Sequence, residues 1–214
     1  VTQNVNPDLK WEKKYEYNLG VDYGFFDNRL TGSLEGYVRN TKDLLWWYDV
    51  PTPPYQYDKL LANAGEMLSY GVELAVTGVP VQTKDVTWTS SLTLAWNENI
   101  ITKLSDPEKG FNYTSSPQGN LYGNKFNGSD YYTQIWMKGG KVGQFYEYKG
   151  TGVNEKGEWV YEDQYGGPTA KPTAADKKYL GSAQPAVTYG WNNTVRYKNL
   201  DVTIFLRGVI GNKL

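Results

Sequence analysis

The chain has 214 residues, a formal net charge of −1, and neither cysteine nor histidine. These absences exclude disulfides, thiolate metal sites, cysteine nucleophiles and a Ser-His-Asp triad. The near-neutral charge, without a basic stripe, gives no reason to expect nucleic acid as a partner, and no run of about 18 apolar residues predicts a membrane-spanning helix.

The first predicted strand covers residues 11–26 and alternates with a period of two. Seven of its eight odd positions are apolar or aromatic, whereas its even positions are mostly polar or glycine. Because side chains alternate across a strand, one face would meet an apolar medium and the other water. The run is far longer than the five or six residues usual in soluble proteins, which favours the wall of a membrane barrel.

Five further alternating runs follow along the chain, and the connections between runs differ greatly in length. The runs cover residues 30–45, 68–77, 86–97, 185–197 and 200–212; tight turns are predicted at 27–29, 81–85 and 198–199, and long connections at about 45–65 and 105–184. Short turns on one rim and long loops on the other are typical of outer-membrane barrels. A structureless loop as long as 105–184 would be unusual, so we expect one hairpin or two extra strands there, with 150–161 as a candidate hairpin.

The two sides of the alternating runs predict two environments. The apolar side is expected to face lipid and the opposite side a hydrated lumen, because a basic residue on the lipid face costs about 2–4 kcal/mol at mid-membrane. The predicted lipid-facing residues are Tyr15, Leu19, Tyr23, Leu34, Val72, Leu74, Leu92, Leu94, Ile204 and Leu206. The predicted lumenal residues are Asp22, Glu35, Arg39, Glu73, Thr93, Asp201 and Arg207.

Four aromatic residues near the end of the second run are candidate substrate contacts. Tyr55 and Tyr57 lie in the loop that follows a Pro-rich stretch, where flat rings could stack on a sugar. Trp46 and Trp47, with Tyr48, stand where the strand would leave the bilayer. An aromatic girdle or loop packing is the more common role at that position, and stacking on a glycan remains the alternative.

No catalytic or metal-binding set is predicted, no cofactor is expected, and the protein is not expected to be an enzyme. The acidic residues between 155 and 163 indicate a solvated loop rather than a glycosidase carboxylate pair. The alternative to a transporter is a soluble glycan-binding β-sandwich, in which the same apolar faces would meet in a core. Strand length and the asymmetry of the two rims favour the barrel.

Six motifs resemble, in order and spacing, elements of SusC/RagA-type TonB-dependent transporters. They are 6–12 (NPDLKWE), 26–33 (FDNRLTGS), 40–45 (NTKDLL), 63–74 (NAGEM and GVEL), 143–149 (GQFYEYK) and 180–212 (LGSAQP and GVIGN). Two departures stand out. Glu147 replaces a usual glycine, and 162–167 (EDQYGG) stands where many members carry an acidic D-x-N-G-D-G stretch, so no cation site is expected in that loop.

The resemblance implies an all-β, antiparallel transmembrane β-barrel of 22 strands. Residues 1–214 would form an incomplete arc of about six to eight long strands within its single barrel domain, a C-terminal-half fragment without plug domain, TonB box or terminal strands. Such an arc is not expected to close by itself, because open sheet edges are costly in hydrocarbon.

The same resemblance implies import of a glycan or peptide across the outer membrane of a Gram-negative, Bacteroidota-like bacterium. The implied partners are a SusD-like surface lipoprotein, TonB acting through the missing N-terminal part, the ligand itself, and the surrounding membrane lipid or lipopolysaccharide.

Overall fold

A computed structural model describes residues 3–105, 107, 113–126 and 129–213, and its regular structure is almost entirely β-strand. The strands are β1 Lys13–Phe25, β2 Leu30–Asp49, β3 Lys59–Gln82, β4 Val86–Lys103, β5 Ser115–Phe126, β6 Ser129–Met137, β7 Gln144–Tyr148, β8 Gly150–Val153, β9 Trp159–Glu162, β10 Pro168–Thr169, β11 Lys177–Ser182, β12 Val187–Tyr197 and β13 Leu200–Ile210. A 3₁₀ turn covers Ala174–Asp176. Among these residues no helix has the length and apolar character needed to cross a membrane.

Six long strands form one antiparallel sheet in the order β1-β2-β3-β4-β12-β13. Antiparallel pairing of β1 with β2 and of β12 with β13 confirms the tight turns predicted between those runs. In the part of the chain that the structure describes, β1 and β13 each have a partner on one side only and do not pair with each other. The arc is therefore open, as expected, and its two outer strands keep an unpaired backbone edge.

Short turns and long connections leave this sheet at opposite ends. The turns at 26–29, 83–85 and 198–199 join neighbouring strands at one rim, whereas the connections 50–58 and 104–186 leave from the other, which we call the loop-bearing rim. The predicted asymmetry of the rims is confirmed. The connection predicted at 45–65 is shorter, because β2 and β3 continue pairing as far as Asp49 and Lys59.

The long connection 104–186 contains more structure than the sequence predicted. It holds a four-stranded sheet of order β11-β7-β6-β5 and a three-stranded sheet of order β10-β9-β8. The expectation of one hairpin or two strands was too low, because most of these strands are only two to six residues long and rich in glycine and tyrosine. The candidate hairpin within 150–161 is confirmed as β8–β9, closed by the Asn154 N–H to Glu158 C=O bond of 2.9 Å.

The register places all the apolar runs on one face of the six-stranded sheet. Directly opposite residues of an antiparallel pair share a face. One row therefore runs through Val21, Leu34, Leu74, Leu94 and Tyr189.

All ten predicted lipid-facing residues share this face, which we call the apolar face, and none belongs to a buried core; Leu19 is 79% exposed. The seven predicted lumenal residues lie together on the opposite, inner face. A β-sandwich would have covered the apolar face, and this sheet leaves it open.

Tyrosines cover two of the glycines on the apolar face. A Cβ at Gly32 would lie 2.4 Å from the Tyr23 hydroxyl, and one at Gly208 would lie 2.5 Å from the Tyr189 hydroxyl. Each ring therefore fills the space that its cross-strand glycine leaves. Gly36 is different, since a Cβ there would meet nothing closer than 4.0 Å. The face consequently has a notch at Gly36.

Candidate functional site: the loop-bearing rim and the inner face

A β-bulge in β2 decides which way the rim aromatics point. Thr41 pairs with Met67 and Leu44 with Gly65, so β2 advances three residues while β3 advances two. The insertion lies between Thr41 and Leu44 and contains Asp43, whose φ is +56°. A one-residue insertion moves the following side chains to the other face. Beyond the bulge the even-numbered side chains of β2 therefore lie on the inner face.

Trp46 and Tyr48 consequently pack beneath the loop sheets instead of continuing the apolar face. The ring centroid of Trp46 lies 4.5 Å from that of Trp136 in β6, and that of Tyr48 lies 5.1 Å from that of Tyr113. Tyr48 is 1% exposed. These two residues thus pack against the long connection, whereas Trp47 lies on the apolar face and is 45% exposed.

A small apolar cavity of about 160 Å³ lies under this aromatic cluster. Met67, Ile101 and Leu104 contribute to its wall, and among the described residues that line it Lys103 is the charged one. The cavity is enclosed by the same side chains that join the rim of the sheet to β6. Its position makes it part of the packing that anchors the long connection.

The loop 50–58, which carries the other two predicted contacts, is bonded to the side chain of Asn4. The Asn4 side-chain amide donates to the Tyr57 and Lys59 carbonyls at 2.6 and 2.8 Å, and its oxygen accepts from the Gln56 and Tyr57 N–H groups at 3.1 Å. The Tyr55 ring is exposed at the rim and Tyr57 is half-buried. The four predicted contact residues therefore do not form one cluster.

Residues 4–12 form a strap, the N-terminal strap, across the rim ends of β2 and β3. Asn63, which is 4% exposed, donates to the Lys10 and Asp43 carbonyls at 2.9 and 2.7 Å and accepts from the Lys10 N–H at 2.7 Å. Asn6 donates to the Leu61 carbonyl at 2.8 Å. Sequence reasoning identified both asparagines as motif members and missed their role. The available signal was a polar asparagine between apolar and small residues near the start of β3.

The inner face carries charges around a cavity of about 330 Å³. Glu35 and Glu73 lie directly opposite each other in β2 and β3, and Arg207 of β13 lines the same cavity. Like charges opposite each other are unfavourable unless other groups or solvent compensate them. This face can therefore accept hydrogen bonds from a cationic or amide group and donate them through Arg207.

A network of lysines and glutamates attaches the three-stranded sheet to the four-stranded one. Glu162 of β9 accepts from the ammonium groups of Lys149 at 2.6 Å and Lys178 of β11 at 2.5 Å. These two hydrogen bonds, Lys149 first, lower the pKa of Glu162 to about 2. Nearby, Glu147 accepts from the Tyr131 hydroxyl at 2.5 Å. Burial, followed by that hydrogen bond, raises the pKa of Tyr131.

Acid should loosen this attachment. A carboxylate whose pKa is lowered by folding contributes stability above its ordinary pKa, near 4.5, and loses it as the pH falls through its folded value, here about 2. We expect amide protection in β9, corrected for intrinsic exchange, to fall between those limits. In Glu162→Gln the β9 amides should already be less protected from exchange at neutral pH, and their protection should no longer change between those pH limits. Glu155→Gln, at the exposed hairpin tip, is the control; equal behaviour of the two variants would contradict this assignment.

Comparison with known proteins agrees with the geometry. Residues 1–208 match the family model described as TonB dependent receptor-like, beta-barrel. The chain is 30% identical to TonB-dependent receptor P3 of Formosa agariphila over all of its own length and 22% of that protein. It is 32% identical to TonB-dependent receptor SusC of Bacteroides thetaiotaomicron over 97% of this chain and 20% of that protein.

Solved structures are similar over nearly the whole chain. The RagAB peptide importer in its "open-open" state superposes with a TM-score of 0.81 at 26% identity, covering 99% of this chain and 22% of that one. A structure of the RagAB peptide transporter gives 0.78 at 27% identity, covering 96% and 22%. The chain thus spans about a fifth of the length of the proteins it matches.

An open antiparallel arc with one apolar face, one polar face and loops gathered at one rim is part of the wall of a transmembrane β-barrel. The chain belongs to the TonB-dependent receptor β-barrel family, with SusC and RagA-type relatives. Its relatives are named TonB-dependent receptors, and RagAB is named a peptide importer.

Proposed function

We propose that the intact protein carrying this chain imports a nutrient, a glycan or a peptide, across the outer membrane of a Bacteroidota-like bacterium. Residues 1–214 contribute part of its single barrel domain. A SusD-like lipoprotein covers the loop-bearing rim, and TonB supplies the energy for import. The protein needs no cofactor and catalyses no reaction. Family membership over residues 1–208 supports this proposal.

The observation that carries the proposal is the division of the six-stranded sheet into two faces on the turn side of the bulge in β2. Apolar side chains occupy one face from β1 to β13, and Asp22, Glu73 and Arg207 share the other. In a soluble sandwich the apolar face would have to be covered, so the two functions differ in a simple test. The intact protein should leave the membrane fraction only with detergent. Recovery in the aqueous fraction without detergent would overturn the transporter.

Uptake distinguishes the two ligand classes. A strain lacking the gene would be compared with its parent for uptake of a fluorescently labelled oligosaccharide and of a labelled oligopeptide of similar mass. If the strain without the gene fails to take up one of the two labelled compounds but still takes up the other, the compound that it fails to take up gives the ligand class. RagAB is named a peptide importer and is similar to this chain. The inner face, with carboxylates and an arginine around one cavity, offers partners for both ends of a peptide as well as for hydroxyl groups.

We propose Tyr55, Tyr57, Trp46 and Trp47 as ligand contacts, with Tyr55 the strongest candidate. Its ring is exposed at the rim, whereas one side of Trp46 is taken by Trp136.

Tyr55→Ala should weaken binding of the imported ligand about tenfold, since loss of one aromatic contact is worth about 1–1.5 kcal/mol. Titration calorimetry on the detergent-solubilised protein measures the dissociation constant of the ligand. Tyr165→Ala, which removes an exposed ring from another loop, is the matched control. Unchanged affinity for Tyr55→Ala would remove this residue from the site.

A further inference from the structure

Two lysines face each other at the loop-side end of the apolar face. Lys13 of β1 and Lys42 of β2 are directly opposite, in the same register as Tyr15 and Asn40, and so lie on the apolar face. Like charges placed opposite each other destabilise a strand pair. The Lys13 ammonium has a long contact of 3.9 Å with Asp43, and the Lys42 ammonium lies 6.0 Å from the Tyr15 ring centroid. An anion between the two lysines would remove the repulsion.

The height of these lysines matches the boundary of a bilayer. The apolar face of β1 extends from Tyr15 to Phe25. At about 3.3 Å per residue and a strand tilt of roughly 40°, those ten steps span about 25 Å across the membrane. That is the height of the lipid-facing band of outer-membrane barrels. Lys13 and Lys42 lie one alternation beyond it, at the level of lipid headgroups, on the side of the long loops.

A groove lies on the same face below the lysines. The notch at Gly36 forms its floor, Leu19, Val38 and Val72 stand around it, and its volume is about 460 Å³. The six residue steps from Gly36 to Lys42 correspond to roughly 20 Å along β2. That distance is comparable to an extended acyl chain measured from its headgroup. The groove and the lysine pair are therefore spaced as the two ends of one lipid molecule.

We propose that Lys13 and Lys42 bind the phosphate of an anionic membrane lipid, one of whose acyl chains lies in the groove over Gly36. This site rests on the proposed function, because it requires the apolar face to meet a bilayer. The two ammonium groups supply the donors and charge for a phosphate, while the groove supplies apolar contact to the chain. A phosphorylated lipid matches both halves of the site, whereas a zwitterionic lipid leaves the lysines with excess positive charge.

Native mass spectrometry of the intact, detergent-solubilised protein tests the site. The protein would be exposed to an equimolar mixture of dioleoyl phosphatidic acid and dioleoyl phosphatidylcholine. Wild type should retain phosphatidic acid in preference to phosphatidylcholine. The double variant Lys13→Gln/Lys42→Gln should retain roughly tenfold less phosphatidic acid than wild type. Lys14→Gln is the control for loss of a lysine, because it removes one positive charge next to Lys13 but on the inner face, opposite Thr41.

A second variant tests the groove. Gly36→Leu should also lower retention of phosphatidic acid, and the open space at this position lets the protein fold. Excess inorganic phosphate should not displace the bound lipid.

Wild-type retention in the double variant, or equal loss in Lys14→Gln, would overturn the phosphate site. Unchanged retention in Gly36→Leu would overturn the acyl groove, and displacement by inorganic phosphate would overturn the lipid as occupant. Release of wild-type protein from membranes without detergent would instead overturn the barrel function itself, and the site with it.

Discussion

Leu74→Arg should destabilise the folded barrel by about 2–4 kcal/mol and deplete the protein from the outer membrane. Leu74 occupies the row that runs from Val21 through Leu34 to Leu94, near the middle of the apolar face. An arginine at mid-membrane must leave water without gaining a partner. Urea unfolding of the intact protein in phospholipid vesicles measures the free energy of unfolding, and immunoblotting of outer membranes measures abundance.

The neighbouring position supplies the control for this experiment. Ala75 lies on the inner face in the row of Ser33 and Thr93, where an arginine can remain hydrated. Ala75→Arg should therefore cost less than about 1 kcal/mol, as substitutions at solvated positions usually do. A similar loss of stability in both variants would mean that the two faces do not differ in environment, and the assignment of lipid and lumen would fail.

The faces of the sheet could be predicted from the sequence because they depend on a local property. A strand has a strict period of two, so an apolar residue at every second position fixes its own face, and tight turns such as 198–199 fix the register of the next strand. The ten residues predicted to share the apolar face do so for this reason. The resemblance of six short motifs led to the family, which the match over residues 1–208 confirms.

The rim could not be predicted in the same way. The bulge at Asp43 places a non-glycine residue at positive φ, so no glycine marks the point where the alternation changes face. If the alternation of even positions from Leu34 continued unchanged past Asp43, Trp46 would lie on the lipid side. Its actual neighbour, Trp136, is ninety positions away, and such contacts leave no local periodicity. Apart from the expected hairpin β8–β9, the strands of 104–186 were missed, and most of the seven are only two to six residues long and show too few alternations to recognise.

The second large effect is expected at Asn63. Asn63→Leu should free the N-terminal strap from the sheet, lowering the free energy of its local opening by about 2–4 kcal/mol. The substitution removes three hydrogen bonds of a side chain that is 4% exposed. It leaves both polar groups of Lys10 and the carbonyl of Asp43 without these bonds beside an apolar side chain. Each buried polar group left unsatisfied costs about 1–3 kcal/mol, and water reaching the opened strap offsets part of the total.

Hydrogen exchange at single amides gives the measurement for Asn63→Leu. Amide exchange at Lys10 should accelerate roughly 30-fold to several-hundred-fold, the factor that corresponds to this free energy. The amides of Gln56 and Tyr57, which donate to Asn4 further along the strap, should follow because the strap lifts as one segment. Asn18→Leu, the same chemical change at an exposed position of β1, should leave all three amides unchanged. If Lys10 exchanges faster while Gln56 and Tyr57 keep their wild-type rates, Asn4 holds the loop 50–58 independently and the strap does not act as a unit.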